Sequence, residues 1–219
     1  MNITTTSQYL SPEEIVNTFR SHLREALLDA QVLNRTDGEK KTETVQIWLT
    51  INKQVIKKTV RRLIDLHFPH LVVISGCDTG EHVELMYHFF IYYGRRNGEY
   101  NVTLKTALPK NDLTIDTIAD ILPGALTSER EKQEFFGISI NDIPDGRRIF
   151  LPNDFPEGVY PWRKDDTGIK DHMVKKLYAV GREQCGAEVC CRDKIPTSES
   201  PENKEPEGDK NTQDQTDQQ

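Results

Sequence analysis

This chain has no run of about 20 apolar residues, so no segment has the make-up of a membrane-spanning helix. Its opening, MNITTTSQYLSPEE, has neither a basic start nor an apolar core. That argues against a secretory signal and leads us to expect a cytosolic protein. Cysteine is scarce: Cys77 stands alone, and Cys185, Cys190 and Cys191 cluster towards the end. Without a signal, reduced thiols are expected rather than disulfides. The three clustered cysteines are the one metal-like group, but no Cys-x-x-Cys motif occurs and a four-thiolate site needs another ligand. The six histidines form no His-x-x-x-His pair. Gly76-Cys77-Asp78-Thr79-Gly80 lacks the spacing of a phosphate or dinucleotide loop, and no serine or cysteine sits in a nucleophile elbow. A net charge of −7 argues against dedicated nucleic-acid binding. These absences leave no visible catalytic machinery.

What is present begins with a helix start. Ser11 can cap, Pro12 suits the first helical position and Glu14 can complete a capping box. Ile15, Phe19, Leu23 and Leu27 then lay an apolar stripe that predicts a helix to about Leu33, followed by polar turn residues to Lys41. Val45, Ile47, Leu49 and Ile51 alternate with polar partners and predict a strand. A second helix is expected from Lys53 to His67, apolar at Ile56, Val60, Leu63 and Ile64 and basic outside. Leu71–Ser75 reads as a short strand. His82–Tyr92 reads as a central strand covered on both sides, with Tyr100–Thr106 as its hairpin partner. A short helix is expected around Ile115–Ile121, and another from Thr127 or Ser128 to a left-handed cap at Gly137. The expected fold is therefore α+β: about four mainly antiparallel or mixed strands with two or three helices packed on them.

From Ser128 to Asp165 the character changes. Pro144, Pro152, Pro156 and Pro161 interrupt the segment, and after Phe136 no hydrophobic period persists. Yet it carries Phe135, Phe136, Ile149, Phe150, Phe155, Tyr160 and Trp162. Long irregular segments of this kind are either loops packed on their own domain or arms that bind. Glu129, Glu131 and Glu134 invite an acid–base reading. The neighbouring Arg130, Lys132, Arg147 and Arg148 favour ionised carboxylates held in salt bridges instead. The organisation expected is an α+β domain over 1–126, a short helix with a docking arm over 127–165, an extension over 166–192 and a tail over 193–219.

Five blocks of the arm occur in a telling order. They are Glu129-Arg130-Glu131, Phe136-Gly137-Ile138, Pro144-Asp145-x-Arg147-Arg148-Ile149, Pro152 with Asp154-Phe155, and Pro161-Trp162-Arg163-Lys164-Asp165. Together they resemble the C-subunit family of respiratory complex I, the NADH-quinone oxidoreductase C subunits, and its relatives in energy-converting, membrane-bound hydrogenases. Thr127, Glu134, Ile143 and Gly146 depart from the usual pattern, and the wording around Phe150-Leu151-Pro152 and Tyr160-Pro161-Trp162 resembles the hydrogenase-like and archaeal branches more than the bacterial quinone-reducing one. The resemblance implies a cofactor-free structural subunit, peripheral on the cytoplasmic face of the membrane. Its arm would dock on a large catalytic subunit beside a small iron–sulfur subunit. Iron–sulfur clusters, and nickel or quinone, would belong to those partners. Partner-binding residues would be Glu129, Arg130, Glu131, Phe136, Arg147, Arg148, Trp162, Arg163, Lys164 and Asp165. The rival expectation is a free-standing binding module or a metal enzyme using Cys185, Cys190 and Cys191.

The tail from Asp193 to Gln219 holds eight acidic residues against three lysines, and Ile195 is its one aliphatic residue. Nothing there offsets the entropy of ordering, so it is expected to be disordered. Truncation after Arg192 is predicted to leave assembly intact, read as undiminished co-purification of partner subunits from the native host.

Overall fold

The computed structural model of the chain describes residues 9–37, 42–94 and 98–174. The first helix, α1 (Pro12–Leu23), begins as its sequence requires. Ser11 and Glu14 form a reciprocal capping box, and Pro12 enters the first turn. Ile15, Val16, Phe19 and Leu23 are buried. The helix does not run on to Leu33. Arg24 takes a positive φ of 50°, a 3-10 turn follows over Arg24–Ala26, and Leu27–Asp37 becomes strand β1. It pairs antiparallel with β2 (Thr42–Ile51), setting Ala30 opposite Leu49 and Val32 opposite Ile47. A four-residue apolar spacing at Leu23 and Leu27 is compatible with a helix locally. The inter-strand ladder that β2 offers outweighs it.

After a 3-10 turn at Lys53–Val55, α2 (Ile56–Leu66) buries Ile56, Thr59, Val60 and Leu63, as its pattern demands. Strands β3 (His70–Asp78), β4 (His82–Ile91) and β5 (Tyr100–Pro109) complete the main sheet, whose order is β1-β2-β5-β4-β3. Within this sheet the β2–β5 pair is parallel and the other three are antiparallel. The sheet thus has five strands rather than about four, and it is mixed.

β4 corrects one expectation. Val83, Leu85, Tyr87, Phe89 and Ile91 are buried, but the alternate residues Glu84, Met86, His88 and Phe90 are only half-buried. α1 and α2 share the core on one face, which gives an antiparallel strand one dry and one wetter side. The wetter side also carries polar residues that find partners there. His88 bonds Ser75 at 2.7 Å and Thr103 at 3.2 Å.

The helix expected over Ile115–Ile121 is also replaced. Thr114–Asp116 forms β6, which pairs in parallel with β7 (Ser139–Asn141), and turns follow to Gly124. The Thr117 hydroxyl accepts from Ala119 N–H at 3.0 Å, a local bond that competes with helix formation. Helix α3 (Ala125–Phe136) then runs to Gly137, whose φ of 70° is the left-handed cap that the sequence predicts. Ala125, Phe136, Ile138 and Ile140 enter the same core as the sheet, so α3 and the start of the arm are packed into the body.

Gly137 is needed twice over. Besides its positive φ, a Cβ there would collide with the Tyr160 ring. Gly137→Ala is therefore predicted to lower stability by about 2 kcal/mol or more, from left-handed strain and displacement of Tyr160. Gly124→Ala, at a φ of −63° with open space around it, is the matched control. Chemical denaturation of both variants measures the difference.

Candidate functional site

The arm has little regular structure after β7, yet it is not left loose. α3 supplies its anchor, beginning with Arg130. That guanidinium donates to the carbonyls of Arg147 at 2.6 Å and Arg148 at 3.3 Å, and pairs with Asp145 at 3.2 Å. Asp145 in turn accepts the Arg147 N–H at 3.1 Å and both arms of its guanidinium, at 2.9 and 2.8 Å. Hydrogen bonds from Arg147, with Arg130 nearby, hold the Asp145 carboxyl well below the usual carboxylate range. Arg148 donates to the carbonyls of Pro152 and Phe155, closing the next loop on itself.

Glu134 performs the central task. It is 8% exposed and accepts the N–H groups of Ile149, Phe150 and Leu151. Three consecutive donors that lack a ladder are thereby satisfied by one side chain. Beside it, Phe135 stacks on Trp162 with centroids 4.4 Å apart, and Phe150 lies 5.9 Å from Phe135. Lys132, itself 2% exposed, sits 4.7 Å over the Trp162 ring and pairs with Glu131 at 2.5 Å. Such a cation–aromatic contact gains strength where water is excluded.

The outer side of this cluster faces solvent. Ile149, Phe150 and Trp162 are 44%, 48% and 41% exposed, and the Arg147 side chain is 86% exposed. An apolar group of this size held rigid at a surface has the composition of an interface anchor.

The remaining residues singled out in the sequence divide between surface and interior. Glu129 is 2% exposed and, among the described residues, has no cation within ion-pair distance. It receives the Thr117 hydroxyl at 2.5 Å and Ile118 N–H at 2.7 Å, tying the turn after β6 to α3. Burial raises its pKa, and the two hydrogen bonds oppose that rise. Phe136 is likewise interior, its ring pressed against Gly76, where a Cβ would meet it at 2.6 Å. The salt bridges expected between the helix glutamates and Arg147 or Arg148 do not form. Glu129 and Glu134 are claimed by hydroxyl and backbone donors, and Glu131 by Lys132.

Arg163 and Asp165 are half-buried, whereas Lys164 is exposed and bonds inward through its backbone alone. Trp162 N–H donates to Phe135 O at 3.0 Å, and Arg163 donates to Phe136 O at 3.1 Å and to Asp165 at 3.1 Å. Lys164 N–H donates to Asp78, and Lys110 bridges Asp78 and Asp165. The sequence reading overlooked Asp78 and Lys110. The Asp78-Thr79-Gly80 turn was a usable signal, since Asp78 accepts Gly80 N–H there; Lys110 carries none. Among the described residues no group of three or more His, Cys, Asp or Glu is placed to hold a metal ion. Cys185, Cys190, Cys191 and the acidic tail lie outside the described residues.

Comparison with known proteins agrees with the arm's blocks. Residues 49–172 match the family model described as the respiratory-chain NADH dehydrogenase 30 kDa subunit, and the chain belongs to that family. The beta subunit of the membrane-bound hydrogenase of Pyrococcus furiosus is 30% identical over 166 residues, covering 74% of this chain and 94% of that protein. The C subunit of the F(420)H(2) dehydrogenase of Methanosarcina mazei is 31% identical over 114 residues, covering 51% and 69%. A chain in the solved structure of the membrane-bound sulfane sulfur reductase, an archaeal respiratory membrane complex, shares the fold. Its TM-score is 0.54 at 22% identity, over 86% of this chain and 98% of that one. These relatives are subunits of complex I-like and membrane-bound hydrogenase complexes. Among the described residues no helix is long and apolar enough to cross a membrane.

The carboxylates around Lys110 give a pH prediction. Burial would raise the Asp78 pKa, but Lys164 N–H, the Lys110 ammonium and Gly80 N–H outweigh it and bring it below the ordinary value. Asp165 is also lowered, chiefly by Lys110 and Thr167. Folded-state values below the unfolded ones mean a stabilisation that is complete above about pH 4 and lost as pH falls through the folded values. The melting temperature should therefore drop on acidification below about pH 4, and less steeply in Asp165→Asn. Thermal melts across that range test it.

Proposed function

We propose that this chain is a structural subunit, without a cofactor of its own, of the peripheral part of a membrane-associated redox complex. It docks by its arm on the large catalytic subunit, beside a small iron–sulfur subunit, at the cytoplasmic face of the membrane. The iron–sulfur clusters, and the nickel or quinone chemistry, reside in those partners. The chain supports electron transfer coupled to ion movement by holding the catalytic subunit in place.

The observation that carries this reading is the exposed cluster of Ile149, Phe150 and Trp162 with Arg147 at its edge. It is rigid because Glu134, Arg130 and Phe135 hold it from beneath. Rigid aromatic groups and arginine give affinity at low ordering cost, which suits a permanent interface within a complex. Glu129 and Phe136 contribute from inside, by placing α3. Arg130, Glu131 and Arg148 set the arm's path, and Arg163, Lys164 and Asp165 fix its end.

Co-purification from the native host tests the reading. Arg147→Ala and Phe150→Ala are predicted to cut recovery of the large subunit by about tenfold or more, the scale of an interface hot spot. Lys58→Ala on the exposed side of α2 is predicted to leave recovery unchanged. Equal recovery for all three variants would exclude the arm as the docking element.

A further inference from the structure

The end of the arm is fastened to the sheet by one small cluster of charge. Asp78 closes β3 and is 1% exposed. One of its oxygens accepts Gly80 N–H at 2.9 Å; the other accepts Lys164 N–H, from the arm, at 2.8 Å. Lys110 stands just after β5. Its ammonium lies 2.9 Å from Asp78 and 2.6 Å from Asp165. Among the described residues it is the one side-chain cation within ion-pair distance of Asp78. Arg163 reaches Asp165 but comes from the arm itself, so it adds no link to the sheet strands.

Asp165 also organises the turn that carries Trp162. It accepts the N–H and hydroxyl of Thr167, while Tyr160 N–H donates to Thr167 O at 2.7 Å and Gly168 N–H to Asp165 O at 2.9 Å. The turn is closely packed: a Cβ on Gly168 would collide with Arg163 O. Movement of Asp165 therefore moves the segment from Tyr160 to Gly168 as a unit. Without Lys110, the buried Asp78 carboxylate would have no side-chain cation against it and would face an Asp165 balanced only by Arg163 of the arm itself. Like charges at that range separate or take up protons.

We propose that Asp78, Lys110 and Asp165 form a latch that closes the end of the arm on the sheet in the free chain, so that the Trp162 face is set before any partner arrives. The purpose given to the latch rests on the docking reading. The latch itself is a property of the isolated protein. Lys110 is a positioning residue here, acting on Trp162 through Asp165.

Amide hydrogen exchange on the full chain, followed by mass spectrometry, tests it with Lys110→Met, Asp165→Asn and the double variant. Both single variants are expected to speed exchange in the 160–168 segment by about tenfold or more, while β4 and β5 keep wild-type protection. The double variant is expected to exchange no faster than the faster single variant, because one interaction is lost in all three. Lys110→Met strands a buried charge, so if it fails to fold, Asp165→Asn decides, since it keeps the Lys110–Asp78 pair. Wild-type protection of 160–168 in Asp165→Asn would overturn the latch. So would a gain in exchange spread equally over β4 and β5, which would mark general destabilisation. Capture of the large subunit is measured separately. Fast exchange with no capture by the wild-type chain would sink the docking reading alone, and normal capture with unchanged exchange would sink the latch alone.

Discussion

Backbone donors in an irregular segment must find acceptors, and water is not available to all of them where the segment lies against a helix. In this protein α3 meets that obligation with carboxylates. Glu134 takes three successive N–H groups of the arm, and Glu129 takes one N–H and one hydroxyl from the turn after β6. α3 therefore joins two stretches that have no ladder of their own. Its aromatic residues follow from that placement. Once Glu134 holds residues 149–151, Phe150 lies near Phe135, and Phe135 offers its ring to Trp162. A glutamine at 134 would have one acceptor oxygen and no charge, a poor match to three donors.

Much of the body was legible from local pattern. The capping box at Ser11 and Glu14, the alternation at Ile47, Leu49 and Ile51, and the helical stripe at Ile56, Val60 and Leu63 each contain their own explanation. The failures share a cause. β1, β6 and β7 are strands because of a partner distant in sequence or lying across a turn, and nothing within their own residues compels them. Leu28 and Leu33, exposed on β1, show how ambiguous that stretch is: a helix would have used them differently.

The arm was legible in composition and in motif, and less so in geometry. Its aromatic content and its arginines set it apart from the body. Of the salt bridges expected for Glu129, Glu131 and Glu134, Glu131 with Lys132 forms and none with Arg147 or Arg148 does. The structure gives each arginine a nearer oxygen, at Asp145 or at backbone carbonyls. Lys110 lies 55 residues from Asp165, and no spacing rule connects the two.

The parallel pairing of β2 with β5 has a kinetic consequence. β1 and β2 form a local hairpin, but the other edge of β2 waits for a strand in which Tyr100 lies opposite Val45. During synthesis that edge stays open until α2, β3 and β4 have emerged and β5 follows. Loop closure of this length is slow compared with hairpin formation, and an unpaired apolar edge attracts other chains meanwhile. The backbone donors and acceptors of residues 45–50 on that side of β2 are then the groups that must be shielded on the ribosome until Tyr100 and its neighbours arrive.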